Sequence, residues 1–172
     1  MDFCKPSAIC TERLALRGLQ DRDREKLIAL LTHPQVGKTY MVPELATREA
    51  AVALAQRLKG LSDDGSRFFY GIYWEDRLVG IIHSVDSTDT QVELGYAIHP
   101  DYWGRGFATE ALRGAMEALL SLGIPMVTAG AFADHAASIR CMVKCGMTKL
   151  EQEETLHYLG ADHRCVYYGK RQ

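Results

Sequence analysis

The chain of 172 residues has no uninterrupted apolar run of the ~18 residues a helix needs to cross a bilayer, so no membrane partner is expected. It has no excess of either charge, with 20 Lys and Arg against 22 Asp and Glu, which removes the electrostatic basis for binding nucleic acid. Its opening residues, MDFCKPSAIC, lack both a basic segment and an apolar core and do not read as a signal peptide. Five cysteines have no disulfide rhythm. Cys141 and Cys145 share one face of an expected helix without the further ligands a metal site requires, so no metal is expected. They read as small buried hydrophobes in a reducing cytoplasm. Neither Gly-Lys-Ser/Thr nor G-x-G-x-x-G occurs, which argues against a P-loop kinase and a dinucleotide-binding oxidoreductase. What remains is an ordinary globular composition, 47% hydrophobic and 24% charged, long enough to bury a substantial core as one domain over residues 1–172.

The densest signal is GYAIHPDYWGRGFAT, residues 95–109. An apolar run through Tyr96, Ala97 and Ile98 ends at His99–Pro100. Gly104, Arg105, Gly106 and Phe107 then lead into the helix-forming ATEALRGAMEALLSLG. The first N–H groups of a helix have no partners within it, and the dipole adds about half a positive charge there, so a pyrophosphate can rest on backbone donors. Glycines let the chain approach the ligand and take φ > 0. Thr109 can add a hydroxyl. Two glycines before a helix also make a simple tight turn.

Around this stretch the pattern is mixed α/β. Residues 11–19 alternate Leu14, Leu16 and Leu19 with charge and read as an edge or near-edge strand. Asp21 is expected to cap a helix ended by Pro34, and Thr47 a second helix closed by Gly60. Residues 67–73 and 78–85 form a hairpin, 86–89 a turn, and 91–98 a third strand. A helix over 108–122 and a strand over 126–131 complete a β-α-β unit, expected to be parallel. A helix over 136–144 capped by Asp134 and two strands, 149–158 and 164–169, close the chain.

HPDYWGRGFATEAL resembles the acyl-CoA loop of the GNAT N-acetyltransferases, whose pattern is Gln/Arg-x-x-Gly-x-Gly/Ala; Gly106 and Ala108 fill the last two fixed places. Trp103 stands where the Gln or Arg would be, a departure similar to the branch that acetylates ribosomal-protein N-termini and similar amines. TERLALRGL, VELGY and DHAASIRCMVKCGM extend the resemblance along most of the chain. It implies a mixed sheet, partly antiparallel and partly parallel, split centrally and flanked by helices, with acetyl-CoA as cosubstrate. Pantetheine then fills the gap between the two parallel strands, where unpaired backbone groups would otherwise cost about 1–3 kcal/mol each.

The resemblance also carries roles. Gly104 to Thr109, with Arg105, Phe107 and Ala108, would hold the diphosphate, and the backbone N–H of Ile98 beside Tyr96 would face the thioester carbonyl. A base must free the attacking amine: Glu93 on the central strand and Asp101 beyond its end are the two candidates. The Tyr many members place in the last helix falls at Met142. Ser138 matches a Ser set against the CoA sulfur, and His135 replaces the usual Asn as a cofactor contact. Tyr40, Met41 and Val42 lie in the loop that walls the acceptor site. The acceptor is a primary amine, either a peptide α-amine or a small amine. Aromatics near the C-terminus, Tyr158, Tyr167 and Tyr168, read as exposed and permit a homodimer. A non-catalytic acyl-CoA-binding domain is the alternative, given the missing Tyr and Asn.

Overall fold

The structure, a computed structural model, describes residues 6–172. Eight strands build one sheet: β1 (Ala8–Cys10), β2 (Leu14–Arg17), β3 (Phe69–Trp74), β4 (Arg77–Ser87), β5 (Gln91–Ile98), β6 (Met126–Phe132), β7 (Thr148–Tyr158) and β8 (Ala161–Arg171), in the order β1-β2-β3-β4-β5-β6-β8-β7. Every neighbouring pair is antiparallel except β5–β6. The helices are α1 (Arg24–Leu31), α2 (Pro34–Gly37), α3 (Arg48–Asp63), α4 (Phe107–Ser121) and α5 (Ala136–Lys144).

Among the described residues two main apolar cores flank the sheet, with a smaller third around Phe132, Cys165 and Tyr167. On one face α4 presents Phe107, Ala111, Leu112, Ala115, Met116 and Leu119, the spacing of a single helical stripe, to Leu16, Ile72, Val92, Leu94 and Ile98. Met142 and Cys145 from the region of α5 join that core. On the opposite face α1 and α3 cover Phe69, Tyr73, Ile81 and Ala97. The hairpin β3–β4 turns at Glu75 and Asp76, both with positive φ. Asp76 is fastened there by Arg17 and Arg22.

Several boundaries differ from the sequence reading, each for a local reason. Asp21 does not cap α1. A short 3₁₀ turn intervenes, and Asp23 takes the reciprocal role, accepting from Gln20 N at 2.8 Å and bonding the Tyr73 hydroxyl. Pro34 opens α2 rather than ending a helix, because its missing N–H is no loss at a first helical position. Thr47 caps α3 as expected, accepting from Ala50 N at 3.2 Å, but the helix runs through Gly60 to Asp63. Asp134 supplies its backbone carbonyl to Ala136 N, and no side chain caps α5. Tyr167 is buried at 6% exposure, and Tyr158 and Tyr168 are half-buried, so the C-terminal aromatics are interior surfaces. Cys145 and Cys165 are buried but Cys10 is exposed; Cys4 lies outside the described residues.

Candidate active site

β5 and β6 are paired in parallel only where Gln91, Val92 and Glu93 lie beside Met126, Val127 and Thr128. Beyond Glu93 the strands separate and Gly130 and Ala131 face Leu94 to Ile98 across a cleft of about 390 Å³. The register on the other side of β5 decides which backbone groups point into it. His99 N donates to Val79 O at 2.8 Å, and hydrogen-bonded pairs alternate in an antiparallel ladder. Ala97 and Gly95 therefore bond to β4, while the N–H and C=O of Ile98 and Tyr96 point towards the gap. Trp103 donates its indole N–H to Ile98 O at 2.7 Å. That bond satisfies the carbonyl and leaves the Ile98 N–H as the group on offer.

At one mouth of the cleft lies the glycine loop. Gly104 and Gly106 have φ of +74° and +80°, conformations that L side chains rarely adopt, and a Cβ on Gly104 would meet only open space. Gly106 is the N-cap of α4 and offers no side chain, so the first-turn N–H groups of Phe107, Ala108 and Thr109 are available to an anion. An acidic residue in that turn would oppose such binding, and Glu110 is there. Its carboxylate is drawn away, accepting from Thr11 Oγ1 at 2.6 Å and from Arg13 N and Nε, each at 2.7 Å. Burial pushes the Glu110 carboxyl up, but these bonds outweigh it and hold the group below its ordinary value. Arg13 also donates Nη1 to Arg105 O at 3.0 Å and lies over the Phe107 ring. β1, β2 and the glycine loop are thereby clamped together. Arg105 itself does not line the cleft; its guanidinium rests over Trp74 and Tyr102.

Tyr96, Ile98, Gly104, Gly106, Phe107, Ala108, Thr109, His135 and Ser138 all line the cleft, which brings nine of the ten expected cofactor contacts together. The Tyr96 hydroxyl lies 2.8 Å from Ser138 Oγ, and burial pushes its pKa well up, so both hydroxyls stay protonated. Burial also lowers the His135 pKa, keeping the imidazole neutral at pH 7, against the opposing pull of Asp134. Met142, which replaces the usual Tyr, is fully buried. The Cys145 thiol, pushed up to about 11 by burial, bonds Thr109 O at 3.3 Å and is not a nucleophile.

The opposite mouth opens beside Val36 of α2 and Thr39 and Tyr40 of the loop that follows it. Tyr158 on β7 holds that loop, donating to Gly37 O at 2.7 Å and accepting from Val42 N at 3.2 Å. Glu93 does not line the cleft as such. It sits at the closed end of the split, half-buried, and its pKa is raised by burial, then by the charges of Glu154 and Asp86. Asp101 stands apart: its side chain is 80% exposed beside His99, in a turn outside the cleft lining. His157 and His163 are engaged with Asp162 and with Tyr158 O. Sequence reasoning missed Arg13, whose only signal was the TERL segment, and the partnership of Tyr40 with His83, distant in sequence and without any motif.

Residues 13–148 match the acetyltransferase (GNAT) domain. The chain belongs to the GNAT acetyltransferase family. An uncharacterized N-acetyltransferase of Bacillus subtilis, YoaA, is 30% identical over 144 residues, 81% of each chain. FsC-acetyl coenzyme A-N(2)-transacetylase of Aspergillus fumigatus is 26% identical over 152 residues, covering 82% of this chain and 65% of the relative. Among solved structures, the RimL ribosomal L7/L12 alpha-N-protein acetyltransferase in complex with coenzyme A superposes with a TM-score of 0.82 at 17% identity, over 95% and 97% of the two chains. The microcin C7 self-immunity acetyltransferase MccE, solved with acetyl-CoA and AMP, gives 0.82 at 16% identity over 98% of both. These likenesses establish the fold of this GNAT acetyltransferase, mixed α/β with the parallel pair at its centre. Among the described residues no helix is long and apolar enough to cross a membrane.

Proposed function

We propose that this acetyltransferase moves the acetyl group of acetyl-CoA directly to a primary amine, a peptide or protein α-amine or a small amine, in the cytoplasm. The observation that carries the reading is the parting of β5 from β6 after Glu93, continuous with the bare N-terminus of α4. Pantetheine amides pair with the gap-facing groups of Tyr96, while the diphosphate rests on the first turn of α4 near Gly104, Gly106 and Thr109. Arg105 and Phe107 shape the loop that does so. The Ile98 N–H donates to the thioester oxygen as it becomes negative, a contribution commonly worth ~10²–10³ in rate. Holding amine and thioester together supplies the rest of the proximity effect, with no covalent enzyme intermediate and no metal.

Glu93 accepts the amine's proton through a water, and its raised pKa brings a carboxylate closer to the working pH of a base. Asp101, exposed beyond the strand end, is the second candidate. Ser138 donates to the departing thiolate, and His135 contacts the pantetheine. The RimL neighbour is an α-N-protein acetyltransferase, and a second neighbour, an acetyltransferase from Salmonella typhimurium, modifies the N-terminal serine of L7/L12, which makes an α-amine the first acceptor to try. The test is an acceptor screen: purified protein, acetyl-CoA, thiol release, with serine-initiated peptides, polyamines and amino acids compared. No amine-dependent thiol release from any acceptor would overturn the reading.

Met142, buried where a phenol is usual, favours the second reading, a non-catalytic acyl-CoA-binding domain. Glu93→Gln and Ser138→Ala separate the two, because an enzyme loses turnover while retaining coenzyme A affinity and a binder has no turnover to lose.

A further inference from the structure

Where Gly95 borders the cleft, Tyr40 and His83 form a pair that the chemistry described so far does not use. The Tyr40 hydroxyl lies 2.5 Å from His83 Nε2, and His83 Nδ1 lies 3.0 Å from Ser84 O. A carbonyl can only accept, so Nδ1 carries the imidazole proton and Nε2 is an acceptor. Tyr40 is therefore the donor, and its single proton is committed to His83. Tyr40 lines the cleft, and its phenolic oxygen, with the proton spent on His83, has only lone pairs left to offer. His83 is locked in turn by stacking on Phe69, with ring centroids 5.2 Å apart and planes 13° from parallel. A Cβ on Gly95 would stand 2.8 Å from Val85 Cγ2 and 3.4 Å from His83 Nε2, so the His83 ring lies against a glycine of the cleft lining. Burial lowers the His83 pKa and raises that of Tyr40, which keeps this arrangement neutral.

We infer that Tyr40, with its proton held by His83, is a specificity-determining residue that accepts one N–H of the incoming nucleophile and so selects nitrogen over oxygen acceptors. This rests on the acetyl-transfer reading above and refines it. A primary amine that becomes a secondary amide keeps one N–H from the first encounter to the product. Its bond to Tyr40 need not break at any stage. An alcohol has one O–H, which must leave for an ester to form, so it cannot both satisfy Tyr40 and react.

The test avoids knowing the natural acceptor. Coenzyme A bearing a carboxymethyl group on sulfur is joined to butylamine or to butanol, giving an amide and an ester that differ by N–H against O at the acceptor position. The wild-type protein is expected to bind the amide about tenfold more tightly than the ester, the scale of one neutral hydrogen bond together with an unpaired oxygen lone pair. Tyr40→Phe should abolish that preference, because it removes the phenolic oxygen that the amide satisfies and the ester leaves unpaired. His83→Gln, whose carbonyl still accepts the phenol proton, should keep the preference, and His83→Leu should reduce it. Equal affinities in the wild-type protein, or a preference that survives Tyr40→Phe, would overturn the inference and leave the acetyl-transfer reading standing. If neither conjugate nor coenzyme A binds, the acetyl-transfer reading fails and the inference falls with it.

Discussion

Glu93, proposed as the base, carries one prediction about catalysis and another about stability. Burial and the Glu154 and Asp86 carboxylates raise its pKa. A base must be deprotonated to act, so the acid limb of a kcat/KM profile is expected at higher pH than an unperturbed glutamate would give. Asp86→Asn removes one of the charges responsible and is expected to move that limb to lower pH. Glu93→Gln is expected to reduce kcat by ~10²–10⁴ with coenzyme A affinity retained. The same shift has a stability consequence with a definite sign. A folded-state pKa raised above the unfolded value stabilises at low pH, and that contribution is lost as pH rises through the folded pKa. Glu93→Gln should therefore raise Tm relative to wild type at pH 8, and the gain should vanish below about pH 4, where both states hold the proton. Thermal melts across that range check it. Glu93 was legible as a candidate from its place in VELGY. Its acidic neighbours were not, since Glu154 arrives from β7, on the far side of the split.

At the scale of elements, the glycine loop and the β7–β8 hairpin each hold one mouth of the cleft. Arg13 joins Glu110 and the Arg105 carbonyl, but its side chain is 44% exposed, so the ion pair adds little to global stability, about 1 kcal/mol at most. Arg13→Ala is expected to leave Tm nearly unchanged yet to raise the KM for acetyl-CoA, because Glu110 keeps its bonds to Thr11 Oγ1 and the residue-13 N–H but loses the neutralising guanidinium, so its charge acts on the diphosphate site. Steady-state kinetics at varied acetyl-CoA checks this. Tyr158 governs the other mouth. Tyr158→Phe removes its bonds to Gly37 O and Val42 N and should speed hydrogen exchange at Val42 and raise the KM for the amine alone. The helix start was readable because glycines and an apolar stripe are local features. The clasp of Tyr158 on a loop 116 residues earlier was not, because a hydrogen bond carries no sequence periodicity.

For the whole molecule, ligand linkage reports whether the split sheet receives coenzyme A. Acetyl-CoA at 100 times its dissociation constant should stabilise the fold by ~2.7 kcal/mol. For a chain of this size that is a Tm rise of about 5–10 °C. NAD and ATP are expected to give no comparable rise. Gly106→Val places a β-branched side chain at φ +80°. It should cost about 1–2 kcal/mol of stability and, by distorting the first turn of α4, remove most of the acetyl-CoA shift.

Apart from β1 and the single-turn α2, which the sequence reading did not contain, the order of strands and helices, the parallel β5–β6 pair and the glycine-marked start of α4 were determined by the sequence, because each depends on alternation, helical period or φ preference within a short window. The terminal details of α1, α3 and α5 were not, since several polar residues compete for each cap and packing selects among them. Only the tertiary structure decided which carboxylates crowd Glu93, that Asp101 stands outside the cleft, that Trp103 takes the Ile98 carbonyl, and that His83 holds the proton of Tyr40. These are facts of direction and distance between elements far apart in the chain, and they exist only once the sheet has closed its register and opened its gap.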